Sequence, residues 1–287
     1  MKFKKIFLIA LGIFTMQFSF SQRIQAYQLY DSNGEKLSME KMMDLLSEKE
    51  IILFGEFHNN PISHWMQLKL IQFMGSEEKI ALGAEMFEAD DQDYLNSYLK
   101  GEIDADALDS LAGLWINFKT DYKPLVDFAK ENRLDFIATN IPRRYANMVY
   151  KNGFDVLDTL TEKEKSFMAP LPIRYDPELP SYKKMQTMMS DHANENFPKA
   201  QAIKDATMAY FIYTHFKKHR KKFIHFNGAY HSNNYEGIFW YLKNLEEDLK
   251  IGTITTVSQE NVHELEVEHK GLADFILVVD EDMTTTY

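Results

Sequence analysis

The chain has 287 residues, 45% of them hydrophobic, a formal net charge of −11 and no cysteine. That apolar content supports a packed core and excludes global disorder, and the acidic balance argues against nucleic acid and anionic membrane surfaces as partners. The missing cysteine excludes disulfides, thiolate metal sites, a cysteine nucleophile and a lipoprotein anchor.

Lys2, Lys4 and Lys5 precede the apolar stretch Ile6 to Phe14, and Ser19-Phe20-Ser21 puts small residues before Gln22. This pattern predicts a signal peptide over residues 1–21, because the apolar stretch is short for a membrane span. Its removal takes away three lysines and no acid, so the charge falls from −11 to −14. The expectation is an exported protein, periplasmic or secreted, that is not a lipoprotein.

Tyr27 to Tyr30 with Asn33-Gly34 reads as a short strand and turn, and Ser38 as the cap of a helix through Leu46. Ile51 to Phe54 is wholly apolar, the pattern of a strand buried on both faces. Gly55 breaks it, and Asn60-Pro61 reads as N-cap and first residue of a helix. Lys79 to Glu85 is a second buried strand. Amphipathic helices follow over Asp90 to Leu99, Asp104 to Trp115 and Asp121 to Lys130. Leu134 to Ala138 is a third strand and Pro142 to Tyr150 a helix. Residues 151–200 hold five of the eight prolines and read as an inserted helical lid rather than core. Ala202 to Phe216 is apolar nearly all round, hence a buried helix. Phe223 to Phe226 is a strand, Asn233 to Leu249 a helix, and Ile251 to Val257 and Phe275 to Val279 the last strands. The alternation predicts one α/β domain over 22–287, a mainly parallel β-sheet flanked by helices, with the helical insertion at about 151–200.

Four polar clusters sit just after apolar runs: Glu56/His58, Glu85/Glu88, Asn140/Arg143 and Asn227/His231. A parallel sheet brings the C-terminal ends of its strands to one edge, where ligands bind. Taken singly, each has a structural explanation. Glu56 can cap a helix, and a lone loop histidine is commonly satisfied locally. Arg143 in a first helical turn opposes the helix dipole and calls for a partner. Asp205 is the only acid in the helix from Ala202, so burial there demands a partner as well. Glu56, His58, Glu85, Arg143, Asp205 and His231 are therefore expected to converge on one pocket.

The motifs now fall into an ordered set. Gly55-Glu56-Phe57-His58-Asn59-Asn60-Pro61-Ile62-Ser63-His64 resembles the opening motif of the ChaN family, haem-binding proteins associated with iron uptake, in the superfamily of the TraB, Tiki and erythromycin-esterase-like proteins. Gly83 to Glu88, Ala138 to Arg144, Gln201 to Ala209 and Asn227 to His231 are similar to its later motifs, in order. The pocket residues matched in this way are Glu56, His58, His64, Glu85, Asn140, Arg143, Asp205 and His231. The resemblance implies haem as cofactor and partner, a tyrosine on the iron, a homodimer holding haem pairs between subunits, and an outer-membrane haem or iron receptor.

No family motif reaches into 151–200, so the iron ligand does not carry over. Tyr182, Met185, Met189 and His192 form one helical stripe there, flanked by Lys183 and Lys184. A phenolate, adaptable thioethers and cations for propionates suit haem. The same stripe also suits a lid helix packing methionines on the core, and Tyr150 and Tyr175 are rival ligands. Two other chemistries remain open. Glu56, His58, Glu85 and His231 are a donor set for a divalent metal, and a histidine with glutamates can act as general base in a hydrolase.

Overall fold

Four consecutive apolar residues, Ile51 to Phe54, leave no side for water, and the fold covers both of their faces. The computed structural model describes residues 25–77, 79–188 and 194–287. The signal-peptide reading over 1–21, Met189 and His192 lie outside them. The strands are β1 Tyr27–Asp31, β2 Lys36–Leu37, β3 Ile51–Glu56, β4 Ile80–Glu88, β5 Asp135–Asn140, β6 Lys222–Gly228, β7 Ile251–Gln259 and β8 Phe275–Asp280. The helices are α1 Met39–Ser47, α2 Pro61–Glu77, α3 Gln92–Leu99, α4 Ala105–Ala112, α5 Lys123–Asn132, α6 Arg143–Asn152, α7 Glu162–Lys165, α8 Pro180–Met188, α9 Phe197–His219 and α10 Ile238–Leu245.

One eight-stranded sheet runs in the order β2-β1-β8-β7-β3-β6-β4-β5. Every neighbouring pair from β8 to β5 is parallel, and β1 pairs antiparallel with both β8 and β2. The expected mainly parallel sheet flanked by helices is what forms. Period-2 alternation along β3 sends its side chains to opposite layers. Ile52 and Phe54 pack with Met66, Leu70 and Met74 of α2, while Ile51 and Leu53 pack with Met208 and Ile212 of α9 and Leu242 of α10. Each such side chain, fully buried, contributes about 1.5–3 kcal/mol. Asn60 caps α2, its Oδ1 accepting from the Ser63 N–H at 2.9 Å, with Pro61 as first residue.

Several boundaries move for local reasons. The helix over Asp104 to Trp115 stops at Ala112, because Gly113 takes a left-handed C-cap at φ 57°. The helix predicted over Asn233 to Leu249 is a short 3-10 turn, Asn233–Tyr235, and then α10. Gly237 lies between them at φ +54°, and a Cβ there would meet the His231 carbonyl oxygen at 2.2 Å. That glycine turns the chain away just after the fifth motif. In the region read as an insertion, α7 and α8 are joined by turns and irregular chain. No helix among the described residues is long and apolar enough to cross a membrane.

Candidate functional site

Because β3, β4 and β6 are adjacent and parallel, Glu56, Glu85 and Gly228 emerge at one edge of the sheet. Gly55 makes this close approach possible: a Cβ there would lie 2.9 Å from the Ala229 Cα and 3.1 Å from the Ile254 carbonyl oxygen. Glu56 is buried, and it is satisfied on both carboxylate oxygens. Tyr122 donates to Oε1 at 2.7 Å, His58 Nδ1 lies 3.0 Å from the same oxygen, and the Gln67 amide donates to Oε2. Burial and Glu56 push the Tyr122 phenol well above its ordinary pKa.

His58 is the member of this group that faces solvent, its side chain 35% exposed. Burial works to lower its pKa, but the hydrogen bond to Glu56 and the charges of Glu85 and Glu56 prevail and raise it. Glu56 holds Nδ1, so Nε2 is the atom turned to the cavity. His64 does not reach the cavity. Its Nε2 lies 3.1 Å from the His58 carbonyl oxygen and its Nδ1 3.2 Å from Gln67 Oε1. Asn117 donates to the same His58 carbonyl at 2.7 Å, so His64 and Asn117 fix the backbone that carries His58.

A second group meets the first. His231 lies between two buried carboxylates, with Nε2 3.1 Å from Glu85 Oε1 and Nδ1 2.5 Å from Asp205 Oδ1. Burial alone would lower its pKa, but Glu85 and Asp205 raise it to about 10. His231 is therefore an imidazolium, already committed on both nitrogens. Burial raises Glu85 too, yet His231, His58 and the Gly228 N–H, which donates to Oε2 at 2.8 Å, hold that carboxyl well below its usual range. Asp205 moves the other way. Burial raises it more than the shared imidazolium lowers it, because one positive charge serves two carboxylates.

The structure thus brings together Glu56, His58, Glu85, Asp205 and His231. Asn140 adjoins them, donating to the Glu85 carbonyl at 2.9 Å. Arg143 is exposed and lines a neighbouring cavity of about 400 Å3 with Glu88 and Trp115. Glu88 lies beside it, and its carboxylate accepts the Arg143 backbone N–H, a contact with the start of α6 rather than with the guanidinium. Gln67, Tyr122 and Trp115 were not marked by the sequence, and Gln201 only as the first residue of the fourth motif. Gln67 had a weak signal, as a polar residue on the buried side of α2. Tyr122 had none.

The main cavity has a volume of about 890 Å3, within the range of small-molecule sites. Phe57, Met185, Phe197, Tyr230 and Tyr287 give it apolar and aromatic walls, and His58, Gln201 and Asn233 give it polar points. Of the stripe predicted for haem, Met185 lines this cavity. Tyr182 is 1% exposed, packed with Met185 and Ala202 and stacked on Tyr175 at 5.5 Å. Its hydroxyl is buried near that of Tyr241, without a well-formed hydrogen bond. Lys183 pairs with Glu178, and Lys184 is exposed. Tyr150 packs edge-on against Phe197.

For a metal, the groups of three or more donors within 4.8 Å among the described residues are Glu266/Glu268/His269 and Glu88/Asp90/Asp91. Glu56, His58, Glu85 and His231 do not form such a group. His231 is consumed by its two carboxylates, and Glu56 by Gln67, Tyr122 and His58.

The cavity is also held open by the absence of a side chain. A Cβ on Gly228 would lie 2.8 Å from His58 Nε2. Gly228→Ala is expected to displace the His58 imidazole, which can swing aside, at a stability cost of about 1–3 kcal/mol. The His58 ring proton resonances should move strongly. An unmoved imidazole would show that Gly228 does not set its position.

Comparison with known proteins follows the same lines. The model of a family described as haem-binding uptake, Tiki superfamily, ChaN matches residues 42–242. ChaN of Campylobacter jejuni, solved with cofacial haem binding, superposes with a TM-score of 0.66 at 17% identity, over 89% of this chain and 97% of that one. A Bacillus cereus protein superposes with a TM-score of 0.52 at 11% identity, over 89% and 95% of the two chains. RETICULATA-RELATED 5, a chloroplastic protein of Arabidopsis thaliana, is 24% identical over 157 residues, 50% of this chain. The chain spans only 21% of that relative's length. At these identities the two structures establish a shared fold.

Proposed function

The chain belongs to the ChaN family of haem-binding uptake proteins in the Tiki superfamily, and from that premise we propose that it is an exported haem-binding protein of haem or iron acquisition. The observation that carries this reading is the apolar and aromatic wall of the 890 Å3 cavity. The residues present fit the group. Phe57, Met185 and Phe197 suit the faces of a porphyrin, Tyr230 and Tyr287 offer phenol oxygens to ferric iron, and Asn233 and Gln201 offer amides to propionates. Tyr182 points into the protein, which favours the two cavity-lining tyrosines over it as iron ligand. Cofacial haem binding by the Campylobacter protein supports a homodimer here, as do the exposed Phe57, Tyr230 and Tyr287 at the cavity. An outer-membrane haem or iron receptor is the partner class that this role requires. The test is a haemin titration followed by visible absorption. Saturable, stoichiometric binding is expected, and weak binding without a fixed stoichiometry would end the reading.

Export rests on Lys2, Lys4, Lys5 and the apolar Ile6 to Phe14. Intact-mass measurement on protein from the native host should find a chain that starts at Gln22. A full-length chain inside the cytoplasm contradicts it.

A second reading is hydrolysis at the same cavity, and His58 is the observation that favours it. Glu56 fixes Nδ1 and leaves Nε2 toward the cavity, and the hydrogen bond and charge of Glu56, with the charge of Glu85, raise the imidazole's pKa, which strengthens it as a base. In this reading Nε2 takes a proton from the water whose oxygen adds to an ester carbonyl, and returns it to the alkoxide as the ester C–O bond breaks, releasing acid and alcohol. His58→Gln should then lower the rate of ester hydrolysis by about 10²–10⁴-fold. Unchanged turnover in that variant would remove His58 as the base.

A further inference from the structure

A separate concavity of about 730 Å3 lies at the opposite edge of the sheet, where β5 begins and α3, α5 and α9 end. Leu134, Phe136 and Ile137 form an apolar wall. Lys100, Lys130, Arg133, His215 and His219 supply nitrogen. Asp135 is the one acid in this lining, and its Oδ2 is already held by Lys221 at 2.6 Å and faced by His215 Nε2.

Basic residues at helix ends have an ordinary explanation, since each C-terminus carries about half a negative charge. Three such ends sum to about −1.5, against three full positive charges from Lys100, Lys130 and Arg133. The lining stays positive in a chain of net charge −11. Dipole compensation also gives no reason for an open cleft with an apolar wall. Nor does it explain the second nitrogen of His215, a residue whose Nε2 lies 3.4 Å from Asp135 Oδ2. That side chain is 10% exposed, its Nδ1 is buried with no hydrogen-bond partner, and the His219 ring lies 4.4 Å from it. Lys100 and Arg133 are exposed, and Lys130 rests over the Tyr98 ring at 4.0 Å.

We propose that this basic cleft binds the phosphate of a small organic phosphate, with Arg133, Lys100 and Lys130 on its oxygens, His215 and His219 beside them, and Leu134, Phe136 and Ile137 against the organic part. A dianion suits this surplus of charge, and the guanidinium fork matches two phosphate oxygens. The cleft is independent of the haem and hydrolysis readings, which use the other edge of the sheet.

Phenyl phosphate is the probe, read by calorimetry and by the imidazole resonances. Saturable binding is expected, tighter than for inorganic phosphate because of the apolar wall. The His215 and His219 signals should move while those of His58 and His231 stay. Arg133→Gln and Lys100→Gln change exposed side chains, so folding should be kept while affinity falls about tenfold in each. No saturable binding at millimolar phenyl phosphate overturns the proposal, as does binding that both variants retain or that moves His58. A parallel arm uses phosphatidylcholine vesicles containing phosphatidylglycerol. Arg133-dependent association with those vesicles, with no response to phenyl phosphate, would assign the cleft to lipid headgroups and also overturn it.

Discussion

Asp205→Ala is expected to cost about 3–5 kcal/mol of folding stability, the loss typical of a buried charge deprived of its partner. The variant leaves the His231 imidazolium with one carboxylate, Glu85, and at Nδ1 only the uncharged Gln201 amide, 2.8 Å away. Burial would then favour losing the proton, which in turn leaves Glu85 poorly compensated. The pH dependence identifies the same cluster. His231 is held at about 10, above its ordinary 6.5. Its contribution is fully present below about 6.5 and is lost as pH rises through about 10. Glu85 is held below its ordinary 4.5, so its contribution is present above about 4.5 and is lost as pH falls further. Asp205, raised by burial, has the opposite sign and blunts the acid side. The alkaline limb is therefore the cleaner signature. The urea midpoint of the wild type should drop between neutrality and about pH 9.5, below the range near 10 where unfolded tyrosines ionise, and His231→Gln should lack most of that drop. A cost below about 1 kcal/mol for Asp205→Ala, or the same alkaline limb in His231→Gln, would show that the cluster is not a charged triad.

Removing both cavity phenols, Tyr230→Phe with Tyr287→Phe, is expected to weaken ferric haem binding at least tenfold and to change its visible spectrum. Tyr182→Phe should leave both nearly as in the wild type. The free phenol titrates near 10, and burial with Glu236 and Asp205 raises Tyr230 further. A phenolate forms there only against a strong local charge, which ferric iron supplies when haem is bound. The oxygen must then be where the iron can reach it. Tyr230 is 38% and Tyr287 57% exposed, both on the cavity, against 1% for Tyr182. Phenylalanine keeps ring and packing and removes, at Tyr230, one exposed hydrogen bond to the Ser181 carbonyl at 2.9 Å, so stability should fall by no more than about 0.5–1.5 kcal/mol. For Tyr182→Phe a small gain is expected, because a buried hydroxyl without a good partner is removed. If the double variant titrates like the wild type while Tyr182→Phe loses the spectrum, the ligand is Tyr182 and α8 must move to present it.

Much of the architecture was legible in the residues alone. A strand buried on both faces has no polar side, so the runs at Ile51 and Ile80 announce themselves, and the alternation of strands with amphipathic helices leaves few sheets that can form. The Glu56, His58, Glu85 and His231 positions were legible for a related reason. Each is a polar group placed directly after an apolar run, and a parallel sheet gathers such points at one edge. Asp205 was legible as a charge with nowhere to go. The partners were not legible. That His231 spends both nitrogens on Glu85 and Asp205, while His58 keeps one for the cavity, depends on which strand lies beside which, and the order β3-β6-β4 is set by long-range packing. Tyr122 and Gln67 reach Glu56 from distant positions with no local pattern. The stripe at Tyr182 and Met185 shows the same limit. Helical periodicity says which side chains share a face, but α8 is amphipathic enough to turn that face either way. Only its packing on α9 decided that Tyr182 goes into the protein and Met185 to the cavity wall.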